Sequence, residues 1–223
     1  MAFVSSKNGE DITGSNVTSV PTSSAMNVVA GSLLVACVMH NSSVSISSIT
    51  DGGSNGFTYG GITGTNISAG RAVEIWRKYN ASANAAAIFT AAIGSSSYPA
   101  IVVLQFSGME TASALDQTAS GFADTNSTVT SDSFTPTQAA EVAIAAACEN
   151  TAELIWTPDA GYIGVTASAG LFAQYKIGLA TSPQTVEAAN GNGQYKAIAV
   201  ATFKEAGGGG GGSSQNLFFR RRR

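Results

Sequence analysis

Charge is what this sequence has least of. Of 223 residues only 11% are Asp, Glu, Lys or Arg, against about 25% in ordinary soluble domains, and Ser, Thr, Ala, Gly and Asn stand where charged side chains usually would. The net charge of −3 conceals an asymmetry, because four of the eleven basic residues are the last four, Arg220 to Arg223. Up to Phe219, seven basic residues face fourteen acidic ones, so no nucleic-acid-binding face is expected on the folded domain. There is one histidine, His40. A Ser-His-Asp triad would have to use it, yet it closes an apolar run and no nucleophile-elbow motif occurs. Cys37 and Cys148 are the only thiols, and each sits inside an apolar run, which suits a buried small hydrophobe better than a disulfide. No stretch of eighteen apolar residues occurs, so no membrane-spanning helix is expected. Met1 to Lys7 lacks the basic start and apolar core of a signal peptide. The expectation is a chain made in the cytoplasm that leaves the cell, if at all, by assembly into a particle released by lysis.

What is present is a repeated apolar pattern. Tyr98-Pro99-Ala100-Ile101-Val102-Val103-Leu104-Gln105-Phe106 returns as Tyr195-Lys196-Ala197-Ile198-Ala199-Val200-Ala201-Thr202-Phe203, sharing Tyr-x-Ala-Ile-x-Val-x-x-Phe. Each copy is rich in apolar residues and bounded by turn formers, the signature of a buried strand. Leu33 to His40 and Glu141 to Cys148 are further continuous runs at matching places in the order. Arg71 to Tyr79 alternates and is answered by Leu171 to Ile177, while Ala85 to Ile93 reads as one strand. Residues 1 to 30 read as two short strands with a turn at Lys7-Asn8-Gly9, and residues 107 to 138 as a polar connector with one short strand at Ser127 to Thr130. Two blocks, about 31–108 and 139–204, thus carry strands in the same order. Two repeats are too few for a solenoid, so the blocks are expected to pack as halves of one all-β, jelly-roll-like sandwich of about 8–10 strands over residues 1–206.

Gly207 to Gly212 form a flexible spacer with a reach of roughly 13 Å. Residues 213–223 follow as a tail in which Leu217, Phe218 and Phe219 precede Arg220, Arg221, Arg222 and Arg223. Apolar anchors followed by guanidinium groups suit docking onto a groove of a partner. Asp51 to Gly56 has the oxygen-rich composition of a calcium loop without the spacing of one and reads as a turn. No metal and no cofactor are expected. Asp116, Asp124 and Asp132 are candidates for an acid pair of a hydrolase directed at glycans or esters. Trp76 and Trp156, with Tyr59, Tyr162 and Tyr175, are candidates for a sugar-stacking platform, and Trp76 shares its alternating face with Glu74 and Lys78, which reads as exposed.

The succession Leu33-Leu34-Val35, Thr50-Asp51, Tyr98-Pro99-Ala100-Ile101, Phe106-Ser107-Gly108, Leu115-Asp116, Thr135-Pro136, Glu141 to Ala145, Tyr175-Lys176 and Ala199 to Lys204 resembles a widespread group of β-rich proteins encoded by bacteriophages, prophages and bacteria. The resemblance implies a β-sandwich on a virion, of the capsid-decoration, head-fibre or tail-associated kind, and brings no catalytic residues. The glycine spacer and the Leu217 to Arg223 tail are not part of it. The expected function is therefore a non-enzymatic structural or accessory protein of a phage particle, homo-oligomeric and joined to other virion proteins through its tail. The alternatives are a carbohydrate-binding or adhesive module that meets a host-surface glycan, and the hydrolase.

Overall fold

The longest apolar runs are apolar at every position because the strands they form are covered on both faces. The computed structural model describes residues 1–10, 15–66, 70–150, 155–168, 170–191 and 193–207. Among these the chain forms eighteen strands and no helix. The first half contributes β1 (Ala2–Glu10), β2 (Val17–Pro21), β3 (Met26–Val28), β4 (Leu33–Asn41), β5 (Ile46–Thr50), β6 (Thr58–Asn66), β7 (Arg71–Lys78), β8 (Asn84–Ala87), β9 (Thr90–Ser96) and β10 (Ala100–Ser107). The second contributes β11 (Leu115–Ala123), β12 (Thr128–Thr130), β13 (Glu141–Glu149), β14 (Thr157–Pro158), β15 (Ile163–Ser168), β16 (Leu171–Ile177), β17 (Glu187–Ala189) and β18 (Lys196–Lys204).

One topology is traced twice. The two large antiparallel sheets have the orders β1-β10-β4-β7-β6 and β11-β18-β13-β16-β15, and two small sheets, β2-β9-β5 and β12-β17-β14, repeat as well. The pair β3-β8 is matched in the second half by the isolated bridge between Phe134 and Gln184. Registers agree: Phe106 lies opposite Leu33 as Phe203 lies opposite Val142.

The result is four layers around three cores. The large sheets face each other across a central core, and each packs its other face on its own small sheet. Alternate residues of one strand therefore enter different cores, as the pleat requires. On β4, Leu33, Val35, Cys37 and Met39 face the centre and Leu34, Ala36 and Val38 face outward. On β13, Val142, Ile144, Ala146 and Cys148 face the centre and Ala143, Ala145 and Ala147 face outward. Cys37 and Cys148 are free, and burial pushes both thiols up to about 12, which leaves them inert. Across the centre, β6 lies over β11 and β18 while β1 lies over β15, the exchange of edges that a two-fold axis along the strands produces. Phe3 stacks on Tyr175 at 4.8 Å and Phe106 meets the same ring edge-on at 5.4 Å, so three rings join the two sheets.

The all-β sandwich expected from the sequence is what forms. Its ten central strands are those of the large sheets, and eight short strands supply the outer layers. Several local expectations are corrected. Lys7-Asn8-Gly9 is not a turn but runs inside β1, where Gly9 crosses the backbone of β2. A Cβ on Gly9 would lie 1.9 Å from the Pro21 carbonyl oxygen, and one on Gly121, at the equivalent place in β11, 2.0 Å from that of Thr130. Only glycine permits so close an approach. Ala85 to Ile93 is two strands in different sheets, β8 and β9. The edge strand β11 occupies part of the expected connector, and β6 extends well past Tyr59; both lack a continuous apolar run because an edge strand is half-open.

Candidate functional site

Because the two large sheets are oriented alike, the molecule has two chemically distinct ends. At the terminal pole the amino group of Met1 pairs with Glu205, Ala206 donates its backbone N–H to the Gly108 carbonyl, and the Leu115 N–H donates to the Tyr79 hydroxyl at 3.0 Å. Both the first residue and the last described ones lie here. At the opposite, loop pole stand the ends of β4, β13 and the starts of β7, β10 and β18.

The terminal pole holds a carboxyl pair of which the sequence suggested one member. Asp116 accepts the N–H and hydroxyl of Thr137 at 2.7 and 2.6 Å and pairs with Lys204 at 3.1 Å. Burial works to raise its carboxyl, but these hydrogen bonds outweigh it and bring it down to about 2. Glu141 beside it is wholly buried. Burial and the Asp116 carboxylate hold Glu141 above its ordinary value, although Thr202 works the other way. Its Oε2 has no hydrogen-bond partner. Values pushed apart in this way mark acids and bases in enzymes, yet a fully buried Glu141 offers a substrate no approach. Asp132 donates its N–H to the Ser120 carbonyl and lines a separate shallow cleft beside the exposed Phe122; Asp124 lies just beyond β11.

The loop pole holds a cleft of about 450 Å³ lined by Asn41, Ser42, Ser43, Gly70, Arg71, Ser97 and Asn150. Asn150 comes from the second half and the rest from the first. Arg71, 8% exposed, donates from Nη1 to the Asn41 side-chain oxygen at 2.7 Å and to the Ser97 carbonyl at 2.6 Å. Its guanidinium lies 5.8 Å from the centre of the Tyr98 ring. Burial lowers its pKa, which the Cys148 and Tyr98 side chains partly offset. Among the described residues Arg71 is in none of the ion pairs. Tyr98 is 41% exposed and held at φ +50°, a conformation costly for a bulky side chain.

Other residues singled out by sequence fall elsewhere. Trp76 is 9% exposed, not displayed on an open face: it packs edge-on to Tyr59 in the first outer core and donates to Glu74 at 2.8 Å. Trp156 is equally buried, stacked on Phe172 in the second outer core. Tyr162 and Tyr175 are buried too. His40 is 2% exposed, with both ring nitrogens facing acceptors, the Asn41 carbonyl and Glu74. The Asp51 carboxylate takes N–H groups from Gly53, Asn55 and Asn84, the hydrogen bonding of a structural turn. Leu217, Phe218, Phe219 and Arg220 to Arg223 lie outside the described residues. Among those described, no group of three or more His, Cys, Asp or Glu side chains could hold a metal, and no helix is long and apolar enough to cross a membrane. Sequence reasoning missed Arg71, Asn150 and Glu141. The positions of the cleft are up to about a hundred residues apart in the chain, and only the mid-strand charge of Arg71 hinted at them.

The fold and its ends define a two-ended, four-layer β-sandwich module. Compared with known proteins, the chain matches no family model, no curated protein and no solved structure.

Proposed function

We propose that the protein is a non-enzymatic structural or accessory component of a bacteriophage particle, attached through the segment that follows Gly207. The observation that supports this most is the division of the molecule into a pole where the chain leaves and an opposite pole that carries the polar cleft. The strand from which the tail departs, β18, is paired on both sides by β11 and β13 and is buried along nearly its whole length. A load on the tail would therefore be shared by a whole sheet. Leu217, Phe218 and Phe219 would serve as apolar anchors and Arg220 to Arg223 as partners for acidic groups on the receiving protein. The sparse charge of the chain, and the resemblance of its ordered motifs to phage-encoded β-rich proteins, favour a place in such an assembly.

Removing Leu217 to Arg223 tests this. The truncated chain is expected to keep its circular dichroism spectrum and Tm but to vanish from purified particles analysed by mass spectrometry. Normal incorporation of the truncated chain would refute docking by the tail. Absence of the full-length chain from particles would refute the virion assignment itself.

A further inference from the structure

We propose that the cleft at the loop pole is a binding site for an acidic saccharide, with the sugar carboxylate on Arg71 and the ring against Tyr98. This does not depend on the particle assignment.

The two halves of the molecule bury their cations in different surroundings, and those of the first half, at the wall of an open cleft, suit an anionic ligand. Each buries one cation at the loop pole. In the second half it is Lys196, wholly buried, whose Nζ donates to the Asn126 and Gln194 carbonyls while Glu149, opposite it across the β13–β18 ladder, acts on its charge electrostatically. In the first half it is Arg71, nine-tenths buried, and among the described residues no carboxylate pairs with it. Charged side chains are rarely so buried unless paired. Nη1 is committed to Asn41 and Ser97. Those two bonds fix the plane of the guanidinium and leave its other donors for a planar, bidentate acceptor.

A carboxylate suits this better than phosphate. One guanidinium supplies one positive charge, no lysine is among the described residues that line the cleft, and the body up to Phe219 has twice as many acidic as basic residues, which disfavours a polyanion. Among the described residues, the other side chains that line the cleft, Asn41, Ser42, Ser43, Ser97 and Asn150, are neutral amides and hydroxyls that both donate and accept and so complement sugar hydroxyls. Tyr98, next in sequence to the lining residue Ser97 and with its ring 5.8 Å from the Arg71 guanidinium, is exposed and held at positive φ, while its counterpart Tyr195 is not among the residues with positive φ. Strain of this kind concentrates at ligand sites. The volume, about 450 Å³, lies within the range of small-molecule sites, about 300–1,000 Å³.

Isothermal titration of the full chain with glucuronate and with N-acetylneuraminate tests the proposal, alongside glucose, acetate and inorganic phosphate. At least one acidic sugar is expected to bind about tenfold or more tighter than glucose, acetate or phosphate. Tyr98→Gly, which relieves the positive φ, is expected to keep or raise Tm while weakening that binding about tenfold. Arg71→Lys is expected to weaken it similarly, because an ammonium cannot make the bidentate contact. Binding of glucose or phosphate as tight as that of the acidic sugars, no binding of either acidic sugar, or full affinity in a folded Tyr98→Gly variant would each overturn it.

Discussion

The central strand presents larger side chains to its outer core in the first half of the molecule than in the second. The outward face of β4 presents Leu34, Ala36 and Val38, whereas that of β13 presents three alanines, Ala143, Ala145 and Ala147. The second outer core sets Trp156, stacked on Phe172 at 5.5 Å, with Tyr162 and Phe134 around these alanines, where the first has Trp76 and Phe89. One backbone topology thus tolerates two ways of filling the same space, provided that total volume is kept. The polar ends differ in the same spirit. The second half holds its buried cation, Lys196, on the backbone carbonyls of Asn126 and Gln194, and the first leaves Arg71 at the wall of a cleft.

That comparison can be broken most sharply at Leu34 and its counterpart Ala143. Leu34→Ala should cost about 3–4 kcal/mol, while Ala143→Leu should cost about 2 kcal/mol by overpacking, both read by chemical denaturation. A neutral Ala143→Leu would show that the aromatics do not fill the second outer core. Next, Gly9→Ala and Gly121→Ala should each cost about 2–3 kcal/mol. Unequal losses would mean that the two edge strands cross their outer sheets differently.

A smaller contrast separates the two tryptophans. Trp76→Phe leaves the Glu74 Oε2 without its donor and should cost about 1–2 kcal/mol more than Trp156→Phe, whose indole N–H has no partner to lose. The smallest effect concerns the carboxyl pair. Glu141, raised in the folded state, stabilises the fold below its unfolded pKa, and that contribution is lost as pH rises through the folded value. Asp116 behaves in the opposite sense: its contribution is present above its unfolded value near 3.8 and lost as pH falls through about 2. Glu141→Gln should therefore flatten the upper limb of the pH–stability profile and raise stability near neutrality by about 1 kcal/mol. A wild-type profile that does not fall with rising pH on that limb would show that Glu141 is ionised in the fold.

Strands buried on both faces were legible, because Leu33 to His40, Glu141 to Cys148 and the two Tyr-to-Phe runs are apolar at nearly every position. Their alternation between cores was hidden for the same reason. Edge strands were not legible: β11 mixes Asp116, Gln117 and Thr118 with apolar residues and resembles a loop. Trp76 was misplaced because an alternating strand has two candidate faces, and Glu74 and Lys78 made its face look open. A second layer, built from β2, β3, β5, β8 and β9, covers it.

By itself the sequence determined that the chain is all-β, that its strand order repeats, and which runs lie deepest, since these properties follow from local apolar pattern and from turn residues. Tertiary structure alone decided that the halves stack as four layers about a pseudo-two-fold axis, and that Asn41, Arg71, Ser97 and Asn150 meet at one cleft. Sheet pairing brings distant segments together, so the charge balance around Arg71 is set by the packing of strands and loops that no local pattern records.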